Sequence, residues 1–399
     1  SCAMDPNFLT SVQDNILTPV EDHILSHNKI ISSLILGNKI SVHTKENGLP
    51  NIKKIDVAII GVPENRNDIN FIGEEINLSE IRRSFYSLYP GNWSIRIADF
   101  GDITPGESVE DTYQNLTSLT SYFIKNNIIP LVIGGSQDLT YANYRAYDDF
   151  KKTINIVNVD SNFDLGDSSK PIKNNSYLGK IILEEPHNLF NYTTIGYQTY
   201  YNSQIEIDLM EKLYFEAYRL GEVCYNINSV EPVMRDADIV TIDLRSIKSS
   251  ELSSRQKLSP NGFDGKEICS ISRYAGISNK VSSFGIFEYK SSNEDEITEM
   301  LIAQILWYFI EGVNCRIIDD DFTKISNFQK FTVVVEKYEL VFYRSVKTSR
   351  WWIVIPNSSK KDTKLNQQSL LPCTHDDYLN ANEGIIPERW YKAHKKNII

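Results

Sequence analysis

Asp56-Val57-Ala58-Ile59-Ile60-Gly61-Val62-Pro63 is a continuous apolar run closed by a glycine and a proline. That is the pattern of a strand buried on both faces, not one with a wet side. Outward from it, Ser79 to Leu88 carries Ile81, Phe85 and Leu88 at helical spacing, and Pro90-Gly91 ends the segment. Ser94 to Phe100 reads as a strand. Val109 to Lys125 follows as a helix with Tyr113, Leu116, Leu119, Tyr122 and Phe123 on one stripe. Pro130 to Ile133, Ile154 to Val159, Tyr192 to Gly196, Ile239 to Ile242 and Val281 to Phe287 repeat the strand pattern. Helices are expected over Asp138 to Tyr147 and near 203–219, 264–274 and 294–311. Strands alternating with helices predict an α/β fold, a mostly parallel sheet covered on both sides. In such sheets ligand groups collect beyond the carboxyl ends of strands. Three places qualify: Gly134 to Asp138, Asp160 to Asp164, and Asp243 to Arg245.

After about Cys315 the pattern changes. Phe331 to Val335, Leu340 to Val346 and Trp351 to Ile355 read as consecutive antiparallel strands with turns near Lys337 and Thr348. Tyr343, Trp351 and Trp352 read as core of that small sheet, and 357–368 as a polar loop. The last thirty or so residues, with Pro372, Pro387 and Trp390, read as a tail packed on the body. The first fifty read as a wrapping arm with helical stretches, and residues 1–6 as a cloning remnant. The expected division is 1–51, 52–314 and 315–399.

The chain of 399 residues has 41 Lys+Arg against 52 Asp+Glu, a net charge of −11. That acidic balance argues against nucleic acid or an anionic membrane as partner, because phosphate binding needs a basic surface. No apolar run approaches the ~18–20 residues that span a bilayer, and no secretory signal is visible. Five scattered cysteines without C-x-x-C spacing suggest a reducing, cytoplasmic setting.

Ile133-Gly134-Gly135-Ser136-Gln137-Asp138, Val159-Asp160-Ser161-Asn162-Phe163-Asp164 and Thr241-Ile242-Asp243-Leu244-Arg245 follow in order. Their sequence and context resemble the three metal motifs of the ureohydrolases (arginase, agmatinase, formimidoylglutamase). Ala98-Asp99-Phe100-Gly101-Asp102 and Phe287-Glu288-Tyr289 add to the likeness, which covers roughly 52–313 and lies nearest the formimidoylglutamase-like branch. The resemblance implies a three-layer α/β/α arginase-like fold, frequent self-association, and two Mn²⁺ ions that activate a water. It also implies ligands from Gly-Gly-x-His, Asp-x-His-x-Asp and Asp-x-Asp. Here the two histidines are Gln137 and Asn162, and the last aspartate is Arg245. Asp160, Asp164 and Asp243 are retained, as is Glu288, which matches the residue contacting the substrate's cationic end.

Amides are poor ligands for Mn²⁺, and a guanidinium stays protonated and cannot coordinate. At ~4 Å and an effective dielectric of ~20, a unit-charge pair is worth ~4 kcal/mol, so Arg245 would repel a divalent ion by about twice that. Three close carboxylates without a counter-ion are costly, and an arginine fork relieves them. The loop Ser168 to Gly179 also lacks the family's proton-shuttling histidine. The expectation is therefore no catalytic residues, no cofactor, and a scaffold, assembly or regulatory protein with a protein partner or self-association. Two alternatives stand beside it. One is a hydrolase of a guanidino or formimino compound holding Mn or Mg on Asp160, Asp164 and Asp243. The other is a sensor of a small guanidino or amino-acid metabolite, held by Arg245 and Glu288.

Overall fold

The computed structural model of the chain describes residues 8–9, 16–253, 256, 259–291, 295–356 and 370–398. The expected polar loop at 357–368 and the remnant at 1–6 lie outside the described residues.

Among the described residues, ten strands form one sheet. They are β1 (Leu17–Thr18), β2 (Ser41–Val42), β3 (Val57–Val62), β4 (Ile97–Ile103), β5 (Ile129–Gly134), β6 (Ile154–Val159), β7 (Leu189–Tyr197), β8 (Glu216–Arg219), β9 (Ile239–Asp243) and β10 (Ser283–Phe287). The spatial order is β1-β4-β3-β5-β10-β9-β6-β7-β8, with β2 also on β4. Every pairing is parallel except β1 with β4.

Successive side chains of a strand point to opposite faces, and both faces here are apolar. Val57 and Ile59 enter one core with Leu131, Ile133, Val240 and Ile242. Ala58, Ile60 and Val62 enter the other with Val132, Ile154 and Ile156. Helices Gly265–Ile277 and Ile297–Asn314 cover the first face; helix Val109–Lys125 covers the second. Two of these helices, Val109–Lys125 and Gly265–Ile277, begin at paired caps, Ser108 with Asp111 and Asp264 with Glu267, which satisfy orphan backbone N–H groups. This is the mostly parallel, two-sided α/β sheet that the strand pattern predicted, in the three layers that the resemblance implied.

Some expectations need correction. The stretch 203–219 is not one helix: Gln204–Lys212 is helical, and β8 then adds an edge strand. The strand expected from Ser94 begins at Ile97 and runs to Ile103. The amino-terminal arm is helical over Asp22–Ile30 and also holds β1, which pairs with β4.

Toward the carboxyl end a second, four-stranded antiparallel sheet runs β11 (Phe328–Val335), β12 (Tyr338–Ser345), β13 (Trp351–Val354) and β14 (Leu370–Cys373) in sequential order. β14 falls in the expected tail. Helices His375–Asn382 and Glu388–Ile398 follow it, and Ala381 and Trp390 join Trp351, Ile353 and Phe342 in one core. The other face gathers Tyr343, Trp352, Leu370 and Phe322. There the body meets the small sheet. Arg235 donates to the carbonyls of Trp351 (2.9 Å) and Cys373 (3.0 Å), and its guanidinium lies 4.6 Å from the Trp352 ring centroid. No helix among the described residues is long and apolar enough to cross a membrane.

Candidate functional site: an arginine among converging carboxylates

Four neighbouring strands, β5, β10, β9 and β6, end together, with Ile133 beside Ile286, Phe287 beside Asp243, and Val159 beside Ile242. The residues just past those ends therefore converge. Gly135 makes the first turn possible: a Cβ there would sit 1.9 Å from the Glu64 carbonyl oxygen, and its own carbonyl accepts the Glu288 N–H at 2.7 Å. The turn brings Gln137 in fully buried.

Arg245 is the centre of the cluster. Its Nη2 donates to Asp243 Oδ2 (2.6 Å), Asp164 Oδ2 (3.0 Å) and Asp160 Oδ2 (3.1 Å). Its Nε lies 3.0 Å from both oxygens of Asp243 and 3.9 Å from Glu288 Oε1. All five side chains are at most 7% exposed. Asp243 also accepts the Arg245 backbone N–H (2.8 Å), so the tight turn after β9 folds the arginine back over its own aspartate. Asp164 and Glu288 hold left-handed backbones, φ 56° and 72°. For residues other than glycine such geometry costs roughly 1–3 kcal/mol each and concentrates at functional sites.

One guanidinium cannot neutralise four buried carboxylates. Burial drives Asp164 up to about 7 despite the opposing pull of Arg245, and drives Asp160, Asp243 and Glu288 upward for the same reason. Arg245 is correspondingly held well above its usual range, its own burial outweighed by Asp160, Asp164 and Asp243.

The other expected positions divide. Gln137 donates its backbone N–H to Glu288 (3.0 Å), while its Nε2 turns to Thr140 (2.9 Å) and Asn158 (3.3 Å). Its buried Oε1 has no hydrogen-bond partner. The Asn162 side chain is not brought into the cluster, its Nδ2 reaching the Tyr201 carbonyl (3.2 Å) and its Oδ1 accepting from Ser161 (2.7 Å), although its backbone N–H donates to Asp160 Oδ1 (3.1 Å). Glu288 is held mainly by Asn174, whose Nδ2 donates to it at 2.8 Å and also to Asp68 at 3.1 Å. Sequence reading missed Asn174, because that loop was searched for histidine. It also missed Asn158, which donates to Asp160 (3.2 Å) and to Tyr177 (2.8 Å). Asn158 did leave a signal, a polar residue inside the otherwise buried strand β6.

Asp160, Asp164 and Asp243 each offer an oxygen within 4.8 Å of the others, a grouping that suits a divalent cation. The unpartnered Gln137 oxygen adds an acceptor. With Arg245 in place, a donor nitrogen and its charge lie among those oxygens, so the carboxylates suit a cation and the arginine opposes it.

Residues 55–311 match the Arginase family. Formimidoylglutamase of Streptococcus gordonii is 23% identical over 237 residues, covering 55% of this chain and 71% of that protein. The Staphylococcus aureus (strain JH9) enzyme of the same name is 23% identical over 251 residues, 60% of this chain and 80% of its own. Among solved structures, Trypanosoma cruzi formiminoglutamase with Mn²⁺ aligns with a TM-score of 0.61 at 19% identity, over 71% of this chain and 99% of its own. Formimidoylglutamase from Bacillus subtilis aligns with a TM-score of 0.59 at 16% identity, over 74% and 99%. The grouping of Asp160, Asp164 and Asp243 is the part of the site that suits the manganese alternative and not the expectation of no cofactor. The family match over residues 55–311, with relatives that share one name, settles descent: the chain belongs to the arginase family, beside its formimidoylglutamases.

Proposed function

We propose that this protein is an arginase-family member in which an internal guanidinium replaces the metal pair, and that it works by binding, as a scaffold or regulatory subunit, and not by hydrolysis. The observation that carries the reading is the Arg245 Nη2, within 3.1 Å of three carboxylates. A guanidinium stays charged at any pH a protein survives, so it neither coordinates a metal nor gives up its place by deprotonation. Gln137 and Asn162, in place of the family's histidines, support the same reading. On this reading a protein partner or a second copy is what the molecule binds, and 315–399, outside the family match, is the region that meets it.

A second reading keeps the activity: a metal-dependent hydrolase of a formimino or guanidino compound. It is favoured by the convergence of Asp160, Asp164 and Asp243 and by the unpartnered oxygen of Gln137. Elemental analysis after purification and dialysis against Mn²⁺ or Mg²⁺ separates the two, combined with assays on formimidoylglutamate, arginine and agmatine. The first reading expects substoichiometric metal and no turnover. Stoichiometric manganese with release of formamide or urea would overturn it.

A further inference from the structure

A sheet pairs with another chain only at its edges, and the edges of the two sheets are not alike. Among the described residues the large sheet ends at β1, two residues long, and β8, four residues long. The small sheet ends at β14, four residues long, and β11, eight residues long. The first three are blunted. β1 and β8 are short, and beside β8 Lys392 holds the Phe215 carbonyl at 3.1 Å. β14 contains Pro372, whose carbonyl is taken by Arg389 at 2.6 Å, and Arg235 takes that of Cys373 at 3.0 Å. Shortness, a proline and covering cations are the devices by which edges avoid pairing with a second chain. β11 has only a single lysine, Lys330. Phe328–Val335 contains no proline and pairs with β12 over eight positions without a shift of register.

The outer side of β11 is open. Bonded and non-bonded pairs alternate along an antiparallel ladder. Val346 donates its N–H to the Asn327 carbonyl at 2.9 Å, one step before the Phe328–Ser345 pair. The odd-numbered residues of β11 therefore bond to β12, and Lys330, Thr332 and Val334 turn both N–H and C=O away from it. Among the described residues none of these backbone groups has a hydrogen-bond partner, and all three residues are exposed, Val334 to 74%. Phe328 differs, because its N–H donates to the Ile325 carbonyl. A row of alternating donors and acceptors on extended backbone is complemented by another strand.

We propose that β11 is a self-association surface: two copies pair their β11 strands antiparallel about a two-fold axis, joining the two small sheets into one. A second copy suits this edge because its three open residues map onto themselves, as an isologous contact requires. With Thr332 on the axis, Thr332 faces Thr332, a favourable cross-strand pair, and Lys330 of each copy faces Val334 of the other. Moving the axis to Phe331 or Val333 would set one open residue against Phe328 or against the turn at Glu336. In the Thr332 register like charges do not meet. Lys330 instead comes beside the exposed Glu339, the β12 neighbour of Val334 on the second copy. This pairing names the partner of region 315–399 and rests on the binding reading above for its role, not for its geometry; β11 lies outside the family match at 55–311.

The test is sedimentation of the full chain at micromolar concentration, where the parent is expected to be a dimer. Thr332→Pro removes an outward N–H and sets a ring where the second strand lies, yet spares the β12 ladder, in which that N–H takes no part. It should be monomeric with the parent's circular dichroism spectrum. Lys330→Glu, at the surface, should weaken the dimer about tenfold, because the altered contact occurs twice across the axis, and adding Glu339→Lys should restore it. A monomeric parent, the result expected if the edge serves a strand of a different protein, would overturn the proposal. So would a dimer that both Thr332→Pro and Lys330→Glu leave intact. Metal content and turnover of the same samples judge the binding reading separately. A metal-free, inactive monomer overturns the pairing alone, and a dimer that hydrolyses formimidoylglutamate supports the pairing and overturns only that reading.

Discussion

Arg245 carries one positive charge among four buried carboxyl groups, and that imbalance decides how the site responds to change. Removing the only buried cation from a hydrogen-bonded cluster leaves the carboxylates uncompensated, a loss of roughly 3–5 kcal/mol where one partner of a buried pair is deleted. Arg245→Asp, which also adds a further carboxyl, should therefore lower the urea-unfolding free energy by about that amount without added metal. A variant as stable as the parent would mean that the arginine does not hold the cluster together. The same imbalance gives a pH signature. Asp164 is raised by burial from 3.8 to about 7, against the pull of Arg245. The folded protein thus binds this proton more tightly than the unfolded chain. Its contribution to stability is fully present below pH ~4 and is lost as pH rises through about 7. Asp164→Asn, which keeps an acceptor oxygen but cannot ionise, should flatten the fall in stability between about pH 5 and pH 8. An unchanged slope would show that Asp164 is already ionised across that range.

Among the elements, β8 shows how a strand escapes sequence reading. Glu216-Ala217-Tyr218-Arg219 is short, half polar and at the sheet edge, so neither alternation nor a continuous apolar run marks it. Its buried carboxylate is satisfied by Arg389, 2.6 Å away and 173 residues on, with Asn191 and Tyr218 also donating. Burial pushes Glu216 up, but Arg389 and these hydrogen bonds bring it down to about 2. A depressed carboxyl stabilises above its ordinary value of 4.5, and that contribution disappears as pH falls through about 2. Glu216→Gln should cost about 3 kcal/mol at neutral pH, and should lose part of the acid-induced weakening that the parent shows below pH ~4.5. Parallel acid titrations of parent and variant by circular dichroism check both. β14 escaped for a different reason. Pro372 within Leu370–Cys373 argues against a strand, yet β14 is an edge strand, where a missing N–H costs nothing. By contrast β3 was legible because it is buried on both faces and holds only apolar residues, and β6 and β9 were legible because isoleucines and valines still dominate them despite Asn155, Asn158 and Thr241. The site divides along the same line. Asp160, Asp164, Asp243 and Arg245 could be read from strand ends and motif spacing. Asn174 could not, since what marks it is a partner brought near only by folding, Glu288, 114 residues distant, and Asn158 left only its polarity inside a buried strand.

At the scale of the whole molecule, the question is whether the small carboxyl-terminal sheet unfolds with the body or apart from it. The contacts between them are specific and partly buried. Arg235 links Glu231 to the carbonyls of Trp351 and Cys373, and Arg350 lies 3.3 Å from Asp319 and 3.4 Å from Glu231. Arg389 bridges Glu216 of β8 and the Pro372 carbonyl of β14, and Lys392 donates to the Phe215 carbonyl at 3.1 Å. Separating the two parts would leave Glu216 and Arg389 without each other and Arg235 without its carbonyl acceptors, and buried charges that lose partners are among the costliest groups to expose piecemeal. One cooperative transition is therefore expected, even though regions with separate apolar cores can unfold apart. The tryptophans provide the reporters. Trp93 and Trp307 lie together in the body, ring centroids 5.1 Å apart, while Trp351, Trp352 and Trp390 belong to the carboxyl-terminal region. In a Trp93→Phe, Trp307→Phe variant the fluorescence reports that region alone, and far-ultraviolet circular dichroism still weights the larger body. Urea midpoints from the two signals should coincide, and Arg235→Ala should split them, with fluorescence moving to lower denaturant. Separate midpoints before that substitution would mean that the arginine contacts do not couple the two sheets.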